Sequence, residues 1–329
     1  MTSLLRGWVE IRGERIPAGE VISRFRRAPM AASEFGGEFF ICVDGCMARD
    51  TLGIIPGEIP PGTIACNGTI IGAVENRAKA GDLDAAIREA VRLRSDQGVV
   101  ALSGGVDSTL IAALAALPCI CVGTVGSHDT ECAGMAARRA GLDCSLTFIR
   151  PGDIEPAIMD VISTIPCITP VNVAIATTQY FITLAASEEG HSRVLTGQGA
   201  DELFGGYSRY LSAQDLEAEL ARDFVSLRQQ ADRDQAVATL NQVLLSMPYL
   251  DMRVVRAAGA LPVTRKVSGS LRKIALREVA QQYIPADLAW ADKKAMQYGS
   301  GVWKEIRHLA KRGGFSCVAE YLAALQRRA

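Results

Sequence analysis

Short apolar runs alternate with stretches of helical spacing through the middle of the chain. Four runs have the length and apolar character of buried strands, and they lie at 99–102, 119–124, 145–149 and 193–195. The stretches between them place apolar residues three and four positions apart, as a helix does. Because strands that alternate with helices form a parallel sheet, the pattern predicts an α/β fold with helices on both faces of that sheet.

The first 75 residues follow a different pattern of short alternating segments separated by turns. Strands are predicted at 7–11, 37–43 and 62–65, which indicates a small β-rich N-terminal region. A polar joint follows at 76–81. We therefore predict two domains, 1–80 and 81–329.

Helical spacing dominates the C-terminal part of the chain and begins again just after the polar joint. An apolar stripe runs from Leu83 through Ile87 to Val91 and continues to Arg94, so a helix is predicted there. Downstream of Tyr207, helices are predicted at 214–231, 234–245 and 267–283. This pattern indicates a helical C-terminal layer.

A glycine-rich turn joins the first predicted strand of the core to the next helix. Its sequence is Ser103-Gly104-Gly105-Val106-Asp107-Ser108. Adjacent glycines let the backbone approach a ligand, and the amides that open a helix attract anions, so the turn is suited to a phosphate. The turn has no lysine of the Walker type and offers Asp107 instead, which points to a bridging magnesium ion. The alternative is an ordinary glycine turn.

A second glycine-rich segment follows the strand predicted at 193–195. It reads T-G-Q-G-A-D-E-L-F-G-G-Y from Thr196 to Tyr207. Ligands of open parallel sheets bind outside the carboxyl ends of the strands, so both turns are expected to face one nucleotide. Asp201 would then supply a second carboxylate for magnesium. A glycine-rich loop with a solvated acidic pair is the alternative.

These two motifs carry a resemblance to known families. The first resembles the pyrophosphate loop of the N-type ATP pyrophosphatases, which cleave ATP between its α and β phosphates. The second resembles the signature of the asparagine synthetase family. The resemblance implies a sheet of the adenine-nucleotide pyrophosphatase type that uses ATP and Mg²⁺. It also implies a set of ATP-binding residues, namely Leu102, Ser103, Gly104, Gly105, Asp107, Ser108, Val122, Gly123, Gly197 and Gln198.

Two more segments extend this resemblance and supply candidate catalytic residues. Residues 247–251 resemble the family's P-[FY]-L-D segment, and 293–299 resemble its lysine loop. The resemblance implies that Lys293 meets negative charge on the phosphates and that Asp251 assists the attack of ammonia. A helix cap is the alternative role for Asp251, and an ordinary solvated lysine is the alternative for Lys293.

The resemblance implies ATP-dependent amide synthesis through an acyl-adenylate, with aspartate converted to asparagine. Family members that hydrolyse glutamine begin with a nucleophilic cysteine, whereas this chain begins Met1-Thr2-Ser3. Residues 48–54 resemble the end of the glutaminase half, so we interpret 1–80 as a reduced relic of that domain. Ammonia is then expected free or from a partner subunit, with a glutaminase as the expected partner; a homodimer is the alternative assembly. Gln198 replaces a glutamate of the family, which leaves the carboxylate acceptor open.

Composition limits the remaining partners and compartments. The chain has 35 basic and 36 acidic residues, so neither nucleic acid nor a membrane is an expected partner. Its nine cysteines are odd in number, and several lie in apolar patterns where an unpaired thiol packs as a small hydrophobe. This favours a reducing cytoplasm. Cys42 and Cys46 flank a predicted turn and are interpreted as structural.

Two other functions stay open on the sequence. One is a tRNA-modifying ATP pyrophosphatase, although the chain has no strongly basic balance and no Cys-x-x-Cys pair. The other is a non-catalytic or regulatory protein that binds ATP.

Overall fold

A computed structural model describes residues 3–76, 81–291 and 296–328. The chain divides into two compact units. The first, here called the N-terminal unit, comprises Met1–Asp96, Gln198–Gln235 and Ser246–Ala275. The second, here called the core unit, comprises Gln97–Gly197, Ala236–Leu245 and Leu276–Ala329. The proposed domain boundary at residue 80 lies outside the described residues and stays a prediction.

Strands and helices have the following bounds. The strands are β1 Ser3–Ile11, β2 Glu14–Ile16, β3 Gly36–Val43, β4 Cys46–Arg49, β5 Thr63–Cys66, β6 Thr69–Ala73, β7 Val99–Ala101, β8 Cys119–Gly123, β9 Cys144–Phe148, β10 Arg193–Leu195, β11 Leu244–Ser246, β12 Val267–Ser268 and β13 Leu271–Arg272. The helices are α1 Ala18–Arg27, α2 Leu83–Arg92, α3 Val106–Ala115, α4 His128–Ala140, α5 Pro151–Thr164, α6 Pro170–Glu188, α7 Ala200–Phe204, α8 Leu216–Leu240, α9 Met252–Gly259, α10 Ile274–Ala280, α11 Ala286–Ala289, α12 Met296–Gly299, α13 Val302–Arg312 and α14 Val318–Gln326.

The N-terminal unit is built on a six-stranded sheet in the order β2-β1-β3-β4-β5-β6. The paired strands run antiparallel, and alternate residues such as Phe39, Ile41 and Val43 face one buried core. Helix α1 covers that core with Val21 and Phe25. The predicted β-rich N-terminal region is confirmed.

Cys46 has a structural role, but it acts through a disulfide and not as an unpaired thiol. Cys46 and Cys66 lie directly opposite each other in the β4–β5 register and are bonded to each other. The sequence alone gives no sign of this pairing, because it depends on which residues two strands place face to face. Cys42 forms no disulfide.

The core unit contains a five-stranded sheet in the order β11-β10-β7-β8-β9. Strands β10, β7, β8 and β9 pair in parallel, and β7 and β8 are almost wholly buried. Strands buried on both faces are apolar along their whole length, which is why the runs at 99–102 and 119–124 were recognisable. The α/β fold with a parallel sheet and a helical C-terminal layer is confirmed.

Two predicted helical regions differ from the structure. The stretches predicted at 214–231 and 234–245 form one helix, α8, which ends near Gln242, a residue with a left-handed φ of 58°. Residues 244–246 form strand β11. The stretch predicted at 267–283 opens with a β12–β13 hairpin, which Gly269 turns with a positive φ before α10 begins. Among the described residues, no helix is long and apolar enough to span a membrane.

Candidate active site

The first glycine-rich turn lies at the carboxyl end of β7, in the core unit. Helix α3 begins directly after it, with Gly105 at the N-cap position and no side chain capping the helix. The first amides of a helix have no partner inside it. The uncapped end of α3 therefore presents N–H groups and the positive end of a helix dipole to an anion.

Two serines close this turn on itself. Ser108 Oγ accepts from the backbone N–H of Ser103 over 3.2 Å, and the two hydroxyl oxygens lie 2.9 Å apart. Gly104 has a φ of +76°, and a Cβ there would overlap the backbone of Cys132 on α4. The turn therefore requires glycine at this position, because of both its conformation and the neighbouring helix.

Asp107 and Gly197 meet within the core unit. Asp107 is buried in the first turn of α3. A Cβ on Gly197 would lie 3.0 Å from Asp107 Cβ and 3.4 Å from the backbone nitrogen of Ser108. The first glycine of the second motif thus packs against the start of α3. The preceding Thr196 is buried, and its Oγ1 has no hydrogen-bond partner among the described residues.

The end of β8, with Val122 and Gly123, is held in place by a segment from the C-terminal part of the chain. Ser300 O accepts from the Thr124 backbone N–H over 2.9 Å, and Ser300 Oγ lies 3.0 Å from Thr178 Oγ1. A Cβ on Gly299 would overlap the Asp129 carboxylate. We call residues 299–301 the GSG segment; it fits tightly against the end of β8 and the start of α4.

Asp201 lies in the N-terminal unit, in the short helix α7. Lys273 Nζ is 2.6 Å from Asp201 Oδ1, and 42% of the Asp201 side chain is exposed. A Cβ on Gly206 would overlap that carboxylate. Asp201 is therefore held between a lysine and a glycine backbone, with part of its surface open.

Gln198 also belongs to the N-terminal unit and is half-buried. Its Nε2 donates to Gln230 Oε1 over 3.4 Å. Gln230 in turn contacts Glu202, which accepts from the Tyr207 hydroxyl over 2.5 Å. Burial raises the pKa of Glu202 above its usual value, although the Tyr207 and Gln230 donors oppose this.

Asp251 caps helix α9 in the N-terminal unit. Its Oδ1 accepts from the Arg253 backbone N–H over 2.9 Å, and its Oδ2 accepts from Arg94 over 3.0 Å. Burial opposes its ionisation, but Arg94 and Arg253 outweigh burial and lower the pKa of Asp251. The structure thus shows the helix cap that the sequence left open, and a low pKa makes this carboxylate a weak base. Its assistance to ammonia stays a prediction.

Lys293 lies outside the described residues, so its role also stays a prediction. Nine of the predicted ATP-binding residues lie in the core unit, namely Leu102, Ser103, Gly104, Gly105, Asp107, Ser108, Val122, Gly123 and Gly197. Gln198, Asp201 and Asp251 lie in the N-terminal unit.

Sequence reasoning missed a buried charge network in the N-terminal unit. Arg94 Nε donates to Glu38 Oε1 over 2.8 Å, while both side chains are almost fully buried. Trp8 Nε1 and the Met247 backbone N–H also donate to Glu38. One signal was present in the sequence, since Arg94 continues the apolar stripe of α2, where a charge needs a buried partner.

The oxygen donors at this site suit magnesium. No three His, Cys, Asp or Glu side chains gather as a metal-binding group within the described ranges. Magnesium does not need such a group, because it binds through one or two carboxylates together with substrate phosphates and water. Asp107, buried at the uncapped start of α3, fits this pattern within the core unit.

Comparisons with known proteins agree with these motifs. The family model described as asparagine synthase matches residues 82–243 and 219–316. A Methanocaldococcus jannaschii protein provisionally named asparagine synthetase [glutamine-hydrolyzing] 1 is 34% identical over 294 residues, covering 75% of this chain and 54% of that protein. Asparagine synthetase B [glutamine-hydrolyzing] of Escherichia coli is 28% identical over 257 residues, covering 69% of this chain and 46% of its own length.

The chain spans about half the length of these curated relatives. Among solved structures, NMN synthetase from Francisella tularensis is similar over 75% of this chain and 94% of its own, at 14% identity and a TM-score of 0.38.

Proposed function

Because the chain belongs to the asparagine synthase family, we propose that it joins ammonia to a carboxylate at the expense of ATP, with release of AMP and pyrophosphate. The carboxylate would attack the α-phosphorus of ATP, and ammonia would then displace AMP from the acyl-adenylate. Aspartate is the proposed acceptor, since the relatives are named asparagine synthetases.

One observation supports this proposal most strongly, namely the uncapped start of α3 behind the Ser103–Ser108 turn. Uncapped helix amides and two hydroxyl groups suit phosphate oxygens without adding positive side chains. The buried Asp107 beside them is unfavourable for a bare anion site, because it would repel the phosphates. Its place is explained if a cation lies between carboxylate and phosphate.

The proposed roles of the chain's own groups follow from charge. The α3 amides, Ser103 and Ser108 would hold the phosphates, while the backbone at Val122 and Gly123 would hold the adenine. Magnesium on Asp107 and Asp201 would neutralise charge on the departing pyrophosphate. Lys293 would meet the charge that develops on the α-phosphoryl oxygens.

Product analysis tests this function directly. Purified full-length protein is incubated with ATP, magnesium, ammonium chloride and a panel of carboxylates that includes aspartate, and nucleotides are separated by ion-exchange chromatography. We expect AMP and pyrophosphate in equal amounts with one acceptor. Formation of ADP would contradict the proposed bond cleavage.

A matched pair of variants ties the result to the site. Asp107→Asn removes the carboxylate beside the α3 amides and should lower AMP formation at least about 100-fold. Asp153→Asn changes an exposed aspartate in the first turn of α5 and should leave the rate within about twofold. Equal rates in both variants would remove Asp107 from the mechanism.

ATP binding without turnover on any acceptor would favour the regulatory alternative, and AMP formation only with tRNA would favour the tRNA-modifying one.

A further inference from the structure

A thiol and an imidazole lie side by side in helix α4. Cys132 Sγ is 3.6 Å from His128 Nε2 and 3.7 Å from Nδ1 of the same ring. The two residues are four positions apart, so they occupy neighbouring places on one face of the helix. Both residues are partly exposed, and Cys132 forms no disulfide. The pair is therefore open to a small reactant from solvent.

A carboxylate lies close to the same imidazole. His128 Nδ1 is 3.6 Å from Asp129 Oδ1, and Asp129 is almost fully buried, whereas 30% of the His128 side chain is exposed. A neighbouring carboxylate favours the protonated ring, and a protonated ring favours the thiolate of Cys132. Because the sulfur is almost equally close to both ring nitrogens, this attraction does not depend on which of them faces it. A carboxylate, an imidazole and a thiol thus follow one another as they do where a cysteine is activated.

Cys132 also packs against the first glycine-rich turn. A Cβ on Gly104 would lie 2.4 Å from the Cys132 carbonyl carbon and 2.7 Å from Cys132 Cβ. The turn and the cysteine are therefore in direct contact, inside the core unit. Because Sγ is attached to that same Cβ, a group bonded to the sulfur begins beside the turn that we propose binds the ATP phosphates.

Four other cysteines of the core unit differ from Cys132. Burial raises the pKa of Cys119 to about 12 and the pKa of Cys144 to about 11, so both stay protonated and unreactive. Cys167 and Cys317 are exposed, but neither bonds to a histidine within the part of the chain that the structure describes. Cys132 combines access to solvent with an activating neighbour.

We propose that Cys132 is a modification site through which a low-molecular-weight disulfide, such as oxidised glutathione, controls the binding of ATP. The Cys132 thiolate attacks one sulfur of that disulfide, so a new sulfur–sulfur bond forms as the old one breaks. The departing thiolate takes the proton that His128 received from the cysteine. One disulfide is consumed and one is formed, and an excess of free thiol reverses the step. This inference rests on the proposed function.

A mixed disulfide at Cys132 opposes ATP binding in two ways. The added group lies beside Gly104, where the turn and α4 leave no room even for a methyl group. Glutathione also carries more carboxylates than ammonium groups, so it repels the phosphates of ATP. Two ligands that exclude each other do so reciprocally, so bound ATP should in turn shield the thiol.

Peptide mapping measures the selectivity of the modification. Native full-length protein is incubated with oxidised glutathione, quenched with acid, digested with pepsin and analysed by mass spectrometry. Cys132 should react at least about fivefold faster than the more exposed Cys167. His128→Asn should slow the reaction of Cys132 about tenfold and leave that of Cys167 unchanged. His308→Asn, at an exposed histidine of α13, is the matched control and should leave both rates unchanged.

Calorimetric titration with ATP and magnesium measures the consequence. Modified protein should bind ATP at least about tenfold more weakly than untreated protein, and excess reduced glutathione should restore the affinity. Cys132→Ser should keep its affinity through the same treatment. Cys167→Ser, the control, should lose affinity as wild type does. ATP present during the treatment should slow modification at Cys132 and not at Cys167.

The outcomes distinguish this inference from the proposed function. If untreated protein binds ATP and complete modification of Cys132 leaves the affinity unchanged, the inference alone is overturned. A rate at Cys132 that does not exceed the rate at Cys167, or that His128→Asn does not lower, also overturns the inference alone. If untreated protein does not bind ATP, the proposed function fails and the inference fails with it.

Discussion

Glu38 and Arg94 form the centre of a buried charge network in the N-terminal unit. Glu38 accepts from Arg94, Trp8, Ser246 and the Met247 backbone. Burial opposes its ionisation, but Arg94 and the hydrogen bonds of Ser246 and Met247 lower the pKa of Glu38 below its usual value. Buried charges are stable only when paired and hydrogen-bonded, so each member of this network depends on the others.

Asp251 is the member that can be changed with least disturbance. In Asp251→Asn the amide oxygen still caps α9, while the charge beside Arg94 and Arg253 is lost. We expect the free energy of unfolding at pH 7 to fall by about 3 kcal/mol. Urea unfolding followed by circular dichroism measures this change.

The pH dependence of that loss follows from the lowered pKa. A carboxyl whose folded pKa lies below its ordinary value of 3.8 adds stability above pH 3.8 and loses it as pH falls through the folded pKa. Wild type and Asp251→Asn should therefore converge below about pH 4. Asp143→Asn, at an exposed aspartate, is the control. If the difference in free energy of unfolding between wild type and Asp251→Asn stays constant from pH 7 to pH 3, the Asp251 charge is not the cause of the lost stability.

Sequence predictability at the residue scale depends on how local the chemistry is. The turn from Ser103 to Ser108 lies within six consecutive positions, so its residues could be assigned from their order alone. Arg94 meets Glu38 across 56 positions and Asp251 across 157. Such pairings are made by the fold, and no local pattern specifies them.

At the scale of elements, the GSG segment shows how the chain after the lysine loop is anchored. Its glycines allow the backbone to lie directly against the Asp129 carboxylate and the Thr124 side chain. Ser300 is fully buried and forms hydrogen bonds with Thr124, directly after β8, and with Thr178 of α6. The start of α13 is thereby fixed beside the end of β8, within the core unit.

The disulfide between β4 and β5 should contribute measurably to the stability of the antiparallel sheet. Cys46 and Cys66 are 20 positions apart, and closing a loop of that length corresponds to about 3 kcal/mol in the chain-entropy model. Adding dithiothreitol should lower the urea midpoint of wild type by the urea concentration that corresponds to about 3 kcal/mol of unfolding free energy. Cys46→Ser with Cys66→Ser should show the lower midpoint without reductant.

Cys42 provides the control for the disulfide. It lies on β3 of the same sheet and forms no disulfide, so Cys42→Ser should keep the response to reductant. A wild-type midpoint that reductant does not move would contradict the assigned role of the bond.

Elements were predictable where apolar runs were continuous and bounded by turns, as at β7, β8 and β10. Helix α8 was not predictable as a single helix, because the polar stretch around 232–234 looks like a break between two helices. In the structure Arg233 pairs with Asp234 inside the helix, with both side chains buried. The end of α8 depends on Gln242 adopting a left-handed conformation, which helical spacing cannot reveal.

At the scale of the whole molecule, the open question is the source of nitrogen. Glutamine hydrolysis by a thiol requires a free thiolate. In the antiparallel sheet, Cys46 and Cys66 are joined to each other and cannot supply one, whereas Cys42 of β3 forms no disulfide. The charge balance of 35 basic to 36 acidic residues gives the chain no broad attraction for a polyanion, in keeping with small reactants such as ammonium.

From the interpretation of residues 1–80 as a reduced relic of a glutaminase domain, we expect ammonium chloride, and not glutamine, to support AMP formation by the chain alone. Ammonia can enter the reaction directly, whereas the amide nitrogen of glutamine is released only by a nucleophile. The measurement compares AMP formed with ammonium chloride, with glutamine, and with glutamine plus a separate glutaminase, at equal nitrogen concentration. The added glutaminase should bring the glutamine rate up to the ammonium rate. Glutamine that works equally well without it would show that this polypeptide hydrolyses glutamine itself, and the interpretation of residues 1–80 as a reduced relic would then be wrong.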